Sequence, residues 1–195
     1  MNVATTASGL AVRAARIARN AVIDLRYGGL LASVINSDYR GLDLIFDGRL
    51  QPDDVLVDVG CGGGRVINWW LHNGFGDNVI YGLEIEPEVA AKTARRLGGY
   101  PNVTIRAGDA GENLPEDATL LYLFNPFKED DVRRFAERVS RRYSQNGVRL
   151  LYYNPKHVRC FEEGLGFTVE RLDLTPDGVA PLDPLAVIAL NPSSA

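Results

Sequence analysis

From about Asp53 onward, short apolar or β-branched runs alternate with stretches of helical period, the pattern of a parallel sheet whose strands are joined by helices. The first run is 55–59, after the turn Pro52-Asp53-Asp54. A helix over Arg65–His72 follows, then a loop at 73–78 rich in Gly and Asn, then a second strand at 79–85. Pro87 sits just inside the next helix, where its missing N–H costs nothing, and that helix runs to Gly98. Val103–Ala107 and 119–124 read as the third and fourth strands, and 108–117 between them is too short and turn-rich for a long crossover helix. The stretch 129–144 is helical, with Val132, Phe135, Ala136 and Val139 inward. Val148–Tyr153 makes the fifth strand, followed by a short helix over 156–163.

The last two runs, 167–174 and Leu185–Leu190, have only the Pro- and Asp-rich loop 175–184 between them. Without a crossover helix they must pair antiparallel, as a hairpin at one sheet edge. The expected fold is therefore α/β, a mostly parallel sheet ending in an antiparallel hairpin. Ahead of it, Leu10, Ala14, Ile17, Ala18, Ala21 and Val22 form an apolar stripe punctuated by Arg13, Arg16 and Arg19, with no acid before Asp24. That composition suits an amphipathic helix and also mimics an organelle transit peptide; the stripe running on to Leu25 favours a folded helix. Residues 1–52 are thus read as a helical extension outside the core, and 53–195 as the domain proper.

Composition narrows the function. A chain of 195 residues, 46% hydrophobic and 24% charged, has the size of one α/β domain, with no apolar run long enough to cross a bilayer. The net charge of −4 disfavours a nucleic-acid partner, which is normally held by a basic surplus. Cys61 and Cys160 are the only cysteines and His72 and His157 the only histidines, so neither a disulfide framework nor a metal site is expected. A reducing, cytoplasmic setting follows. Arg133, Arg134, Arg138, Arg141 and Arg142 crowd one helix, spaced as a solvated face.

The chemistry gathers after the first strand. Asp58 is followed by Gly60, Gly62 and Gly64 at alternate positions, between a buried strand and a helix. Glycine allows positive φ and removes Cβ, so backbone can lie against a ligand, and the helix N-terminus offers free N–H groups. A dinucleotide fingerprint wants glycine at the sixth position from Gly60; Arg65 stands there instead. Glu84, near the end of the second strand, is placed to accept ribose hydroxyls, and Asp109 with Ala110, after the third, to read an adenine ring.

Together, Asp58, Gly60, Gly62, Gly64, Glu84, Asp109 and Ala110 resemble the motifs of class I S-adenosylmethionine-dependent methyltransferases over about 53–190. The resemblance implies a seven-stranded, doubly wound sheet of order 3-2-1-4-5-7-6 and S-adenosyl-L-methionine as cofactor. Asp58 and the Gly60 backbone would hold the methionine amino group, with Cys61 and Ile85 as flanking cofactor positions. Leu123-Phe-Asn-Pro-Phe127 is similar to the Asn-Pro-Pro-aromatic motif of amino-methyltransferases with one proline fewer, a form similar to that of small bacterial members of the family. By that likeness Asn125 belongs to both cofactor and acceptor pockets, and Phe127 stacks on the acceptor. A second Asn-Pro, at Asn154, ends the fifth strand and would open on the same sheet edge, with His157 a candidate base beyond it. Tyr27, Tyr39 and Arg40 are candidate substrate contacts if the N-terminal extension folds over the site as a lid.

The activity expected is methyl transfer to a small molecule or an amine-bearing acceptor, possibly on a protein. A non-catalytic cofactor-binding module is the alternative, and an NAD-dependent oxidoreductase is opposed by Arg65.

Overall fold

Seven apolar runs become strands: β1 (Leu56–Val59), β2 (Ile80–Glu84), β3 (Val103–Ala107), β4 (Leu120–Phe124), β5 (Val148–Tyr153), β6 (Phe167–Leu172) and β7 (Leu185–Leu190). The helices are α1 (Tyr39–Phe46), α2 (Arg65–His72), α3 (Pro87–Leu97), α4 (Glu129–Arg142) and the single turn α5 (Arg159–Glu162). This computed structural model describes residues 39–175 and 182–192. The strands form one sheet in the order β3-β2-β1-β4-β5-β7-β6. β1 pairs in parallel with β2 and β4, β2 with β3, and β4 with β5, whereas β7 runs antiparallel to both β5 and β6. The order is the one the family resemblance implies, and the terminal hairpin is the one expected from the missing last crossover.

All four residues of β1 are buried, as a central parallel strand covered on both faces requires. Alternate side chains feed two cores. Val57, Val59, Leu121, Leu123, Leu150 and Tyr152 face α4, whose Val132, Phe135, Ala136 and Val139 are the inward residues read from its period. Leu56, Leu120, Tyr122, Leu151 and Tyr153 face α1 and α2. α4 carries Glu129, Asp130 and Asp131 in its first turn and Arg141 and Arg142 in its last, charges that complement its dipole at both ends.

The expectation that the first fifty residues lie outside the core fails over 39–50. Leu42, Ile45 and Phe46, at helical spacing, are buried, and Leu50 with them. Phe46 meets Trp69 at 5.0 Å, Trp70 at 5.6 Å and Tyr122 at 5.3 Å between ring centroids, so α1 caps the α2 face of the sheet. Residues 1–38, and with them the helix expected over 10–25 and any lid, fall outside the described residues.

The short helix expected over 156–163 contracts to α5 because Pro155 and the turns around it use carbonyls differently: Lys156 N–H donates to Asn154 O and Val158 N–H to Pro155 O. At the amino edge of the sheet, Asp54 is the hub of a buried polar latch. It accepts Thr119 Oγ1 at 2.7 Å, Gln51 N–H at 2.7 Å and Arg149 Nη2 at 2.7 Å on each oxygen, joining the segment before β1 to β4 and β5.

Candidate cofactor and acceptor site

β1 delivers Asp58 and the loop behind it to the carboxyl edge of the sheet. Gly60, Gly62 and Gly64 all adopt positive φ, of 78°, 50° and 74°, so the glycines answer a backbone need. A Cβ on Gly60 would lie 3.1 Å from Pro126 Cβ, which places the first glycine directly beneath the Asn125-Pro126-Phe127 turn. Behind Gly64 the space is filled by Thr93, Arg96 and Leu97 of α3, so this glycine admits a helix. Cys61 turns its side chain into the core beside Gly82; burial, reinforced by Asp58 and Glu84, pushes its thiol well above the ordinary range, and the group is chemically quiet.

Asp58 is 3% exposed, and desolvation, with the Glu84 charge adding to it, pushes its carboxyl up to about 8. A buried acid of this kind ionises readily only when a cation arrives. Register explains the second acid: Val59 pairs with Leu83, so Glu84 emerges level with the glycine loop. Its Oε2 accepts Gly62 N–H at 2.8 Å and its Oε1 accepts Glu86 N–H at 3.0 Å, leaving lone pairs on both oxygens for hydroxyl donors. The next residue, Ile85, is 63% exposed, a bare apolar side chain at the mouth of the site suited to a flat ring.

Asp109 follows β3, but its Oδ1 is engaged by Arg138 Nη1 at 2.6 Å and Glu112 N–H at 3.1 Å, leaving Oδ2 without a partner among the described residues. Ala110 is buried in the core, so it meets a ligand only through its backbone.

Asn125 and Asn154 are the positive-φ residues other than glycine among the described residues, at 42° and 49°. Both stand at the ends of the neighbouring strands β4 and β5, and such backbone strain concentrates at functional sites. The Tyr152 hydroxyl donates to Asn125 Oδ1 at 3.2 Å, tying β5 to the first Asn-Pro turn. Burial holds this phenol up to about 12, so it remains a donor at neutral pH. Tyr152 was not among the residues singled out from the sequence; its only signal there is its place two residues before Asn154, on the strand.

The remaining candidates are less committed to the site. Phe127 packs on Phe135 at 5.4 Å between centroids and is partly buried against the core. His157 holds Nδ1 3.9 Å from Glu129 Oε2 near the surface. Tyr39 and Arg40 begin α1, with side chains outside the described residues, as is the whole of Tyr27.

Residues 56–147 match the family described as Methyltransferase domain. Ribosomal RNA small subunit methyltransferase A of Thermotoga neapolitana is 32% identical over 91 residues, 45% of this chain and 34% of that protein, so the match spans about a third of the curated relative. Among solved structures, the precorrin-6y C5,15-methyltransferase of Geobacter metallireducens is 20% identical with a TM-score of 0.56, covering 82% of this chain and 90% of that one. An RNA methyltransferase of Salinibacter ruber in complex with S-adenosyl-L-homocysteine is likewise 20% identical with a TM-score of 0.58, covering 83% and 96%. At this identity the structures establish the fold. With the glycine loop, the strand-end acids and the 3-2-1-4-5-7-6 sheet all in place, residues 56–147 are similar to a methyltransferase domain and stand on the sheet shared with those solved methyltransferases.

Proposed function

We propose that the protein transfers a methyl group from S-adenosylmethionine to a small molecule or an amine-bearing acceptor. The observation that carries this reading is the close approach of Gly60 to Pro126, where an added Cβ would lie 3.1 Å from the proline Cβ: the cofactor loop and the acceptor turn are neighbours, as a donor and an acceptor that must meet in line require. The cofactor, when bound, supplies a methyl group already activated by its sulfonium.

What the chain contributes is placement. Asp58 receives a cationic amine in a desolvated pocket, Glu84 accepts hydroxyls, and Ile85 covers a ring face. Asn125, strained and held by Tyr152, offers its amide to the acceptor beside Gly60. A strong base is optional for an amine, so the position of His157 at the surface is no obstacle.

The charge distribution supports a small or protein acceptor over RNA. On α4, Arg133 pairs with Glu163, Arg134 with Asp131, Arg138 with Asp109, and Arg142 with Glu116, which leaves Arg141 as the one of the five arginines without an acidic partner among the described residues, too little for a basic stripe along a phosphate backbone. The test is incubation with S-adenosylmethionine labelled in the methyl group and a fractionated extract. Label entering a small-molecule or protein fraction supports the reading, and label entering RNA overturns the acceptor class. Cofactor binding with no acceptor labelled would instead mark a binding module.

A further inference from the structure

The amides of the glycine loop have almost all been used by the protein itself. Gly60 N–H and Cys61 N–H both donate to Leu83 O, at 2.8 and 2.9 Å, Gly62 N–H donates to Glu84, and Gly64 N–H to Cys61 O at 2.7 Å. The amide left over is that of Gly63, which has no partner among the described residues and is partly exposed. It shares a peptide plane with the Gly62 carbonyl, and that carbonyl accepts Thr93 Oγ1 of α3 at 2.7 Å. In a trans peptide the C=O and the following N–H point in opposite directions. Holding the Gly62 carbonyl against α3 therefore aims the Gly63 N–H away from it. The Gly63 carbonyl is held in turn by Arg96 Nη2, while Arg96 Nη1 reaches Asn68 Oδ1 at 3.2 Å.

We infer that Thr93, seconded by Arg96, is a positioning residue for the cofactor: by holding the Gly62 carbonyl it fixes the Gly62–Gly63 peptide and with it the direction of the amide the loop has left to offer. The inference rests on the cofactor reading above and adds to it the side chain that holds the loop in place. Thr93 is 3% exposed and occupied by the loop, so it acts through the loop and not by touching the cofactor. The chemistry suits the type of residue. Glycine has a low barrier to turning its peptide plane, and three successive glycines would leave the direction of the free N–H undefined without an outside clamp. A helix interior is otherwise a poor place to bury a threonine hydroxyl without a specific acceptor.

The test uses S-adenosylhomocysteine, which needs no acceptor, in calorimetric titrations of the full chain and of Thr93→Val and Thr93→Ser. Valine keeps the methyl and the shape and removes the hydroxyl. The expected result is affinity about tenfold weaker in Thr93→Val, the scale of one hydrogen bond to a charged group, restored in Thr93→Ser. Hydrogen exchange of the peptide spanning 60–66 should quicken in Thr93→Val while exchange in the β4 and β5 peptides stays as in the parent, a pattern that general destabilisation would not give. Wild-type affinity in Thr93→Val, or a loss that Thr93→Ser fails to restore, overturns the inference and leaves the cofactor reading standing. Absence of binding by the unmodified chain overturns both.

Discussion

The Tyr152 hydroxyl sits 3.2 Å from Asn125 Oδ1, donating to a side chain whose own backbone is held at a φ of 42°. A phenol has one proton to donate, and here it goes to Asn125. One phenol thereby sets the orientation of the amide proposed to meet the acceptor. Tyr152→Phe should lower turnover of the acceptor about tenfold, equivalent to about 1.4 kcal/mol, with affinity for S-adenosylhomocysteine unchanged. Steady-state kinetics beside calorimetry measures both, and an equal loss in the two would place Tyr152 in the fold instead.

Asp58 makes the stability of the empty protein depend on pH. Its carboxyl, raised from 3.8 to about 8, keeps in the folded state a proton that the unfolded chain releases between those values. The stability it contributes is fully present below pH 3.8 and is lost as pH rises through about 8. Asp58→Asn lacks this loss, so its melting temperature should gain on the parent steadily over that window. The same variant should bind S-adenosylhomocysteine more weakly, since the amine loses its counter-charge. Parallel melting curves for the two proteins across pH would contradict this account of the buried acid.

Gly60 and Gly48 offer a matched pair. Both have positive φ, 78° and 67°, but a Cβ on Gly60 meets Pro126 whereas one on Gly48 meets nothing within 4 Å. Each change to alanine should cost about 1–2 kcal/mol of stability from the left-handed backbone. Only Gly60→Ala should also weaken cofactor binding, because the crowding falls between the loop and the Asn-Pro-Phe turn. Urea unfolding and calorimetry on the two variants separate strain from site.

At the opposite edge of the sheet, Asp54→Ala removes the acceptor shared by Thr119, Gln51 and Arg149. Leaving those donors without a partner should cost about 2–4 kcal/mol, read from urea unfolding. Cofactor affinity should hold in protein that remains folded, since the latch lies at the far end of the strands from the glycine loop.

Much of this architecture is legible in the chain because periodicity reports burial directly. The alternation of apolar runs and helices marks every strand, and the missing crossover before Leu185–Leu190 forces the hairpin that closes the sheet. The strand-end positions of Asp58 and Glu84 follow from the same pattern. What stays hidden is contact between side chains far apart in sequence. Thr93 lies 31 residues from Gly62 and Tyr152 lies 27 from Asn125, and neither belongs to a local motif. Gly63 is concealed differently: the alternate glycines on either side draw attention, while the free amide belongs to the residue between them. The core role of α1 is a matter of misplaced emphasis, since Leu42, Ile45 and Phe46 have the right spacing but precede the first strand and read as an appendage.

The account stands most directly on a calorimetric titration of the protein with S-adenosylhomocysteine, run at pH 7 in two buffers of different ionisation enthalpy. It predicts saturable binding at one site per chain, a rise in melting temperature, and heats that differ between the buffers as the incoming ammonium drives the proton from Asp58. No heat in either buffer together with an unmoved melting temperature would contradict it.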